Sequence, residues 1–131
     1  AERLQAGLTP EPFFNQEHDR MYKTLVLKGG KKGYFVCCIP VDEELDLKKA
    51  ARAAGEKKVE MIHVKDMLAV TGYIRGGCSP IGMKKHYPIY IEEMEQLHDT
   101  VMVSAGQRGI QVTLEPEALR AYVEGIFVSL V

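Results

Sequence analysis

The sequence of 131 residues has no long apolar run, no cysteine pattern suited to disulfides and no excess of charge of one sign. No stretch approaches the ~18–20 apolar residues of a membrane span, and no signal peptide opens the chain, so no membrane partner is expected. The three cysteines, two of them adjacent, suit a reducing cytosol better than a disulfide framework. These absences predict a cytoplasmic protein.

The charge balance also limits the class of partner. The 17 Lys and Arg residues and 18 Asp and Glu residues give a net charge of −1. That balance argues against a protein that coats long nucleic acid by charge alone, and DNA is not an expected partner. The balance is still compatible with a protein that binds one short end of an RNA.

Motifs for cofactors and metals are missing as well. The P-loop spacing and the Gly-x-Gly-x-x-Gly fingerprint are absent. No two Cys or His residues have the spacing of a structural zinc site. The sequence therefore predicts neither a cofactor nor a metal.

What the sequence does contain is an alternation of short strands and helices that fits one domain over residues 1–131. Hydrophobic patterns and turn residues predict strands at 21–28, 34–39, 59–62, 88–91, 100–104 and 110–114, and helices at 46–54, at 64–70 and from 116 to about 126. Residues 1–20 are expected to form a short helical remnant and then a loop, and Glu92 and Glu93 to begin a solvated helical turn. Because several strands are joined by hairpins, the predicted fold is α+β, with a mixed, mostly antiparallel sheet and flanking helices.

Two glycine-rich loops, residues 76–82 and 105–109, hold more small residues than a connection needs. Glycines let a backbone approach a ligand closely and expose its N–H groups to a carbonyl or phosphate. An ordinary tight connection explains the glycines equally well, so the residues alone leave both interpretations open.

Two side chains carry competing interpretations. Lys23 lies within an apolar strand pattern, so it either faces solvent, the commoner arrangement, or provides a fixed cation in a pocket. Cys78 needs a neighbouring base to act as a nucleophile, but the histidines lie on unrelated segments. A small buried cysteine is the favoured interpretation.

Five motifs, in order and spacing, extend from about residue 20 to the end of the chain. They are Tyr22-Lys23-Thr24-Leu25, Leu45-Asp46-Leu47-Lys48-Lys49-Ala50, Lys57-Lys58-Val59-Glu60-Met61, Thr71-Gly72-Tyr73 with Gly76-Gly77-Cys78-Ser79-Pro80-Ile81-Gly82-Met83-Lys84-Lys85, and Val103-Ser104-Ala105-Gly106-Gln107-Arg108-Gly109. Together they resemble the YbaK/EbsC family, the bacterial Cys-tRNA(Pro) deacylases related to the editing domain of bacterial prolyl-tRNA synthetase.

The resemblance implies trans-editing hydrolysis of mischarged Cys-tRNA(Pro) without a protein nucleophile, the substrate's own thiol attacking its ester carbonyl. It implies catalytic roles for Lys23 and Gly76. The substrate-binding residues implied by the same motifs are Thr24, Gly77, Ser79, Pro80, Ser104 and Gly106. The expected partners are the 3′ end of the aminoacyl-tRNA and prolyl-tRNA synthetase.

The sequence departs from the family pattern in three places. The N-terminal strand and helix of the family, which supply aromatic pocket residues, are expected to be largely missing here. The stretch from Pro10 to Arg20 is longer than expected before the Tyr22-Lys23-Thr24 segment, and Gln111 stands where many members carry an acidic residue. Two other hypotheses stay open. One is a deacylase for another mischarged tRNA, such as Ala-tRNA(Pro), and the other is a non-catalytic module of the same fold that binds a nucleotide or an RNA end.

Overall fold

The computed structural model describes residues 9–12, 20–73, 78–106 and 110–131. The strands in these residues are β1 (Thr9–Pro12), β2 (Tyr22–Gly29), β3 (Tyr34–Pro40), β4 (Val59–Met61), β5 (Ile89–Glu92), β6 (Val101–Ser104), β7 (Ile110–Leu114) and β8 (Ile126–Val128). The helices are α1 (Leu47–Ala54), α2 (Met67–Thr71) and α3 (Pro116–Val123), with 3₁₀ turns at Val64–Asp66 and Glu93–Leu97.

These strands form two sheets. The larger has the order β4-β2-β3-β5-β8, antiparallel from β4 to β3 and parallel from β3 to β8. The smaller has the order β1-β7-β6 and is antiparallel throughout. The predicted α+β class with mixed, mostly antiparallel pairing is confirmed, and its strands are divided between two sheets.

Strand β3 lies at the centre of the larger sheet and is buried on both faces, as its continuous apolar run predicts. Val36 and Cys38 belong to a core shared with β6, β7 and α3. Phe35, Cys37 and Ile39, on the opposite face, pack in a second core with the alanines of α1. The sheet thus separates two apolar layers.

Helix α1 begins and ends where its sequence predicts. The Asp46 carboxylate accepts hydrogen bonds from the backbone N–H groups of Lys48 and Lys49, at 2.9 and 3.1 Å, and so caps the first turn. Gly55 ends the helix with a φ of +71°, a conformation that glycine adopts without a Cβ penalty. The buried face of α1 is formed of alanines, which allow it to lie close against the sheet.

Both ends of the described chain differ from the prediction. Residues 9–12, expected as loop, form β1, and the last helix, expected to reach residue 126, ends at Val123. Glu124 then adopts a left-handed backbone, and Gly125 passes so close to Ile91 that a Cβ there would lie 2.9 Å from its Cδ1. The chain continues as β8 beside β5. Both missed strands depend on partners far away in sequence, so local periodicity does not reveal them.

The acidic residues after β5 are buried, which corrects the expectation that Glu92 begins a solvated turn. The Glu92 carboxylate accepts hydrogen bonds from the N–H groups of Met94 and Leu130, at 2.8 and 2.7 Å, and so holds the C-terminal segment. Glu95 is fully buried, and neither of its carboxylate oxygens has a hydrogen-bond partner among the described residues. Burial raises the pKa of Glu95 to about 8.

Replacing Glu95 with Gln should increase stability in a pH-dependent way. The folded state holds the Glu95 proton up to about pH 8, whereas the unfolded chain releases it near its ordinary pKa of 4.5. The wild-type free energy of unfolding should therefore fall as pH rises through this window, and Glu95→Gln should remove that contribution. Thermal unfolding at pH 4.5, 6.5 and 8.5 checks this, with the largest gain in Tm expected at pH 8.5.

The matched control is Glu92→Gln. Its amide nitrogen would face backbone donors that now bond to a carboxylate oxygen, so it should lower Tm at all three pH values. A pH-independent effect of Glu95→Gln would contradict the raised pKa.

Candidate functional site

A cavity of about 440 Å³ lies beside β2, where the two sheets diverge. The sheets meet at an isolated parallel bridge between Met21 and Met102, next to the start of β2. The described residues that line the cavity are mostly apolar: Tyr22, Lys23, Thr24, Leu25, Val26, Val41, Met61, Ile62, Val64, Met67, Cys78, Ser104 and Gln111. A cavity of this size and character matches ordinary small-molecule sites, which span roughly 300–1,000 Å³.

Strand β2 meets the cavity along its edge. Five consecutive residues line it, which the side chains of one strand face could not do. Because the Val26 carbonyl accepts a hydrogen bond from Ile62 N–H at 2.9 Å, Val26 presents its backbone polar groups away from β3. Thr24, two residues earlier, presents its own N–H and C=O to the same edge, and β4 ends before reaching it. The site therefore has backbone hydrogen-bonding groups along one wall.

Lys23 supplies the positive charge of this site. It is half-buried, and it is the one charged residue among the described residues that line the cavity. Within the described ranges, no carboxylate forms an ion pair with it. A lysine ammonium placed beside an anion or a developing negative charge stabilises it, and the effect is stronger where water is excluded.

The polar groups of the cavity are sparse. The hydroxyl of Thr24 is buried without a conventional hydrogen-bond partner among the described residues. It adjoins the Cys38 thiol, and this contact lowers the pKa of Cys38 against the larger effect of burial, which raises it. Ser104 Oγ accepts a hydrogen bond from Gly106 N–H at 3.2 Å. Gln111 pairs with Ser104 across the β6–β7 ladder. Gln111 is buried and also lines the cavity. These groups can orient a small polar ligand but offer no strong base.

Cys78 lines the cavity, but its chemistry does not fit a nucleophile. Burial raises the pKa of its thiol to about 11, so only about one molecule in 10⁴ carries the thiolate at pH 7. Burial also raises the pKa of Cys37 to about 12 and that of Cys38. No histidine or carboxylate stands among the described lining residues to take a proton from Cys78. The favoured sequence interpretation, a small buried cysteine, fits these surroundings.

The predicted site residues do not all meet at the cavity. Lys23, Thr24 and Ser104 line it together. The Ser79 side chain is buried, and its Oγ accepts a hydrogen bond from Ile81 N–H at 3.2 Å. Pro80 lines a separate depression of about 150 Å³. Gly76 and Gly77 lie outside the described residues.

Gly106 lies against Tyr73, and this contact explains why a glycine stands at position 106. Gly106 has a φ of +94°, and a Cβ there would come within 3.0 Å of the Tyr73 ring. The Tyr73 hydroxyl donates a hydrogen bond to the Ile81 carbonyl at 2.5 Å, and a Cβ at Gly82 would lie 3.2 Å from the same hydroxyl oxygen. The tyrosine thus joins the segment after Cys78 to the turn after β6, and close packing accounts for both glycines.

Sequence reasoning missed the apolar wall of the cavity. The lining includes four apolar residues from β4 and the helical segment after it: Met61, Ile62, Val64 and Met67. Their spacing predicts a short strand and a helix, but it does not predict which of the apolar side chains remain exposed. A signal that could have indicated this wall is that the short helix has more apolar residues than it can bury.

Among the described residues, no group of three or more His, Cys, Asp and Glu side chains is arranged to hold a metal ion. No described helix is long and apolar enough to cross a bilayer.

Comparison with known proteins identifies related sequences and folds. Residues 11–122 match the family described as the aminoacyl-tRNA editing domain. Over 114 residues the chain is 54% identical to EbsC of Enterococcus faecalis (strain ATCC 700802 / V583), a proposed Cys-tRNA(Pro)/Cys-tRNA(Cys) deacylase. That match covers 87% of this chain and 70% of the relative.

Two solved structures share the fold at low sequence identity. A proposed trans-editing enzyme for prolyl-tRNA synthetase superposes with a TM-score of 0.87 at 21% identity, covering 98% of this chain and 94% of that one. The hypothetical protein APE2540 superposes with a TM-score of 0.87 at 16% identity, covering 98% and 96%. These likenesses support the α+β fold.

Removing the buried Thr24 hydroxyl should change the thermal stability of the protein. Thr24→Val replaces a buried hydroxyl that lacks a partner with a methyl group of similar shape, so it should raise Tm by a few degrees. Thr113→Val is a matched case, because the Thr113 hydroxyl is also buried without a partner among the described residues but does not line the cavity. Thermal unfolding of the free protein measures both.

Thr71→Val provides the opposite control. The Thr71 hydroxyl donates to the Met67 carbonyl at 2.8 Å and accepts from Tyr73 N–H at 3.0 Å, so its loss should lower Tm. A fall in the Tm of Thr24→Val comparable to that of Thr71→Val would show that the Thr24 hydroxyl is satisfied within the protein.

Proposed function

We propose that this chain, which belongs to the family of aminoacyl-tRNA editing domains, hydrolyses mischarged Cys-tRNA(Pro) in trans. The observation that carries the proposal is the composition of the cavity, in which Lys23 is the one charge and no base adjoins the buried Cys78 among the described lining residues. Such a site can bind and orient an ester and stabilise charge. It is poorly equipped to generate a nucleophile of its own.

The proposed nucleophile is the thiol of the substrate's cysteinyl group. Its sulfur attacks the ester carbonyl, a carbon–sulfur bond forms, and the bond between that carbon and the ribose oxygen breaks. The thiol proton ends on the released ribose hydroxyl, and water then opens the cyclic thioester to free cysteine. This series of reaction steps needs no protein nucleophile, which agrees with the raised thiol pKa values of Cys37, Cys38 and Cys78.

Lys23 is proposed to stabilise negative charge during this reaction. Charge develops on the carbonyl oxygen when sulfur attacks, and a fixed cation in an apolar cavity lowers the energy of that state more than it would in water. The same ammonium group could hold the phosphate of the terminal nucleotide, and both roles require it to face the ester. Gly76 and Gly77 remain proposed as backbone donors to the same oxygen, on the strength of the family motif alone.

The remaining polar groups are proposed to orient the cysteinyl group. Thr24 contributes its unpartnered hydroxyl and its edge backbone groups, while Ser104 and Gln111 lie on the facing ladder of the smaller sheet. An uncharged Gln111 can accept a hydrogen bond from the substrate's ammonium through its amide oxygen. Ser79, Pro80 and Gly106 are proposed to act through the loops that frame the cavity.

Selection of the tRNA is proposed to involve prolyl-tRNA synthetase. A net charge of −1 gives this chain little general affinity for RNA, so a partner that already holds the mischarged tRNA would supply its identity. The name of the structural neighbour, a proposed trans-editing enzyme for that synthetase, agrees with this arrangement.

The thiol mechanism predicts a strong dependence on the substrate's amino acid. Cys-tRNA(Pro) should be deacylated at least 10²-fold faster than Ala-tRNA(Pro) or Ser-tRNA(Pro), because neither carries a thiol to attack the ester. Single-turnover deacylation of the three substrates measures the ratio. Cys78→Ala should keep the wild-type rate on Cys-tRNA(Pro). Equal rates on alanine and cysteine substrates would favour water attack and the alternative specificity.

Lys23→Ala should lower the deacylation rate by about 10²-fold or more, as expected when a group that stabilises developing charge is removed. Lys28→Ala is the matched control, because Lys28 lies on the same strand but is exposed and does not line the cavity. Both variants should unfold near the wild-type temperature. A full-rate Lys23→Ala enzyme would remove Lys23 from the mechanism.

A further inference from the structure

We propose that an exposed apolar surface beside the cavity, formed by Met61, Val64 and Leu68 and here called the shelf, binds the unpaired 3′-terminal nucleotides of the tRNA. The inference rests on the proposed function, since it places the part of the substrate that remains outside the cavity. It names a binding surface that the cavity residues alone do not define.

The shelf begins at the rim of the cavity. Of the described residues that line the cavity, Met61 and Val64 are the exposed ones, with exposed fractions of 42% and 56%. Their neighbours Ile62 and Met67 are half-buried and form the inner wall. A ligand that enters past this rim must therefore pass over Met61 and Val64.

Leu68 extends the same surface away from the cavity. It is 59% exposed and follows Met67 in α2, four residues after Val64, a spacing that brings side chains to neighbouring positions on a helical segment. Nine large apolar side chains are exposed in the described chain, and three of them fall within residues 61–68. Exposed apolar side chains gathered in one place are typical of an interaction surface.

Covalent geometry favours an RNA end as the occupant. The amino acid is esterified to the terminal ribose, so once the cysteinyl group is in the cavity, the terminal adenosine must lie at its mouth. The faces of the bases are apolar and can pack on methionine, valine and leucine side chains. The shelf has no aromatic ring, so it should bind the bases without strong sequence preference.

Charges around the shelf suit a phosphate backbone. Lys65 is exposed between Val64 and Leu68, and Lys84 is exposed beside the end of α2, where its N–H donates to the Thr71 carbonyl at 2.9 Å. Glu60 and Asp66 lie in the same region. Lys57 and Lys58, both exposed, precede β4, and the exposed Lys85 follows Lys84. A mixed apolar and cationic surface fits single-stranded RNA better than a purely apolar partner.

The test replaces Leu68 with Glu and compares it with Leu47→Glu. Both leucines are exposed, but Leu47 lies on α1, which packs on the opposite face of the larger sheet. A fluorescein-labelled single-stranded RNA of 12 nucleotides ending in CCA is titrated with each protein at low salt, with anisotropy as the readout. Leu68→Glu should weaken binding about tenfold, because it removes apolar contact and adds charge that repels phosphate, while Leu47→Glu should bind as wild type.

Kinetics provide the second readout. Leu68→Glu should lower kcat/KM on Cys-tRNA(Pro) about tenfold and leave hydrolysis of cysteine methyl ester, which has no nucleotide, unchanged. Equal RNA affinity of Leu68→Glu and wild type would overturn the inference, as would an absence of RNA binding by wild type. If the variant loses co-elution with prolyl-tRNA synthetase but keeps RNA affinity, the shelf is a protein interface and the inference fails.

The two hypotheses can fail separately. If wild type binds the RNA, Leu68→Glu weakens that binding and neither hydrolyses Cys-tRNA(Pro), the shelf stands and the proposed function falls. If Cys-tRNA(Pro) is hydrolysed at full rate by Leu68→Glu, the proposed function stands and the shelf falls.

Discussion

The backbone pairing of β2 is the constraint on which the rest of the structure depends. On one side its full length pairs with β3, whose two buried faces hold both cores together. On the other side it pairs with β4 only from Leu27 to Gly29, and Met21, just before it, bridges to the smaller sheet at Met102. Among the described residues, the stretch between these two attachments has no strand paired to its edge. A strand edge buried without partners is costly, so an edge of this kind favours contact with solvent or a ligand.

That constraint explains why the site has a fixed backbone and yet contains a polar group that lacks a hydrogen-bond partner among the described residues. The edge residues are held by β3, and the Thr24 hydroxyl stays buried without a conventional hydrogen-bond partner among the described residues. Such groups lower stability by about 1–3 kcal/mol each unless something satisfies them. A rigid core that tolerates this cost can hold a cation and a few hydrogen-bonding groups in fixed positions for a ligand. Glu95, which interacts electrostatically with Tyr22, is another buried group without a partner among the described residues. Because it does not line the cavity, it bears on stability.

Much of this fold follows from local sequence signals. The apolar run of β3 predicts a central strand, and Asp46 and Gly55 predict both ends of α1, because caps and buried strands depend on a few adjacent residues. The family resemblance is confirmed, and its motifs bring Lys23, Thr24 and Ser104 to one cavity. What local signals could not predict are β1 and β8, the burial of Glu92 and Glu95, and the exposed rim at Met61 and Val64. Each depends on which distant segment does or does not cover a surface.

The proposed chemistry explains why a site with few polar groups and no described base could be selective. A base strong enough to activate water would hydrolyse any aminoacyl ester that fits, including a correctly charged one. A cavity whose described walls hold one lysine and neutral polar groups accelerates chiefly an ester that carries its own nucleophile. Discrimination between cysteine and an amino acid of similar size then lies in the reactivity of the substrate, which a small apolar pocket could not achieve by fit alone. On this mechanism the protein needs only to bring the acceptor end to the rim, hold the cysteinyl group against β2 and keep Lys23 beside the ester.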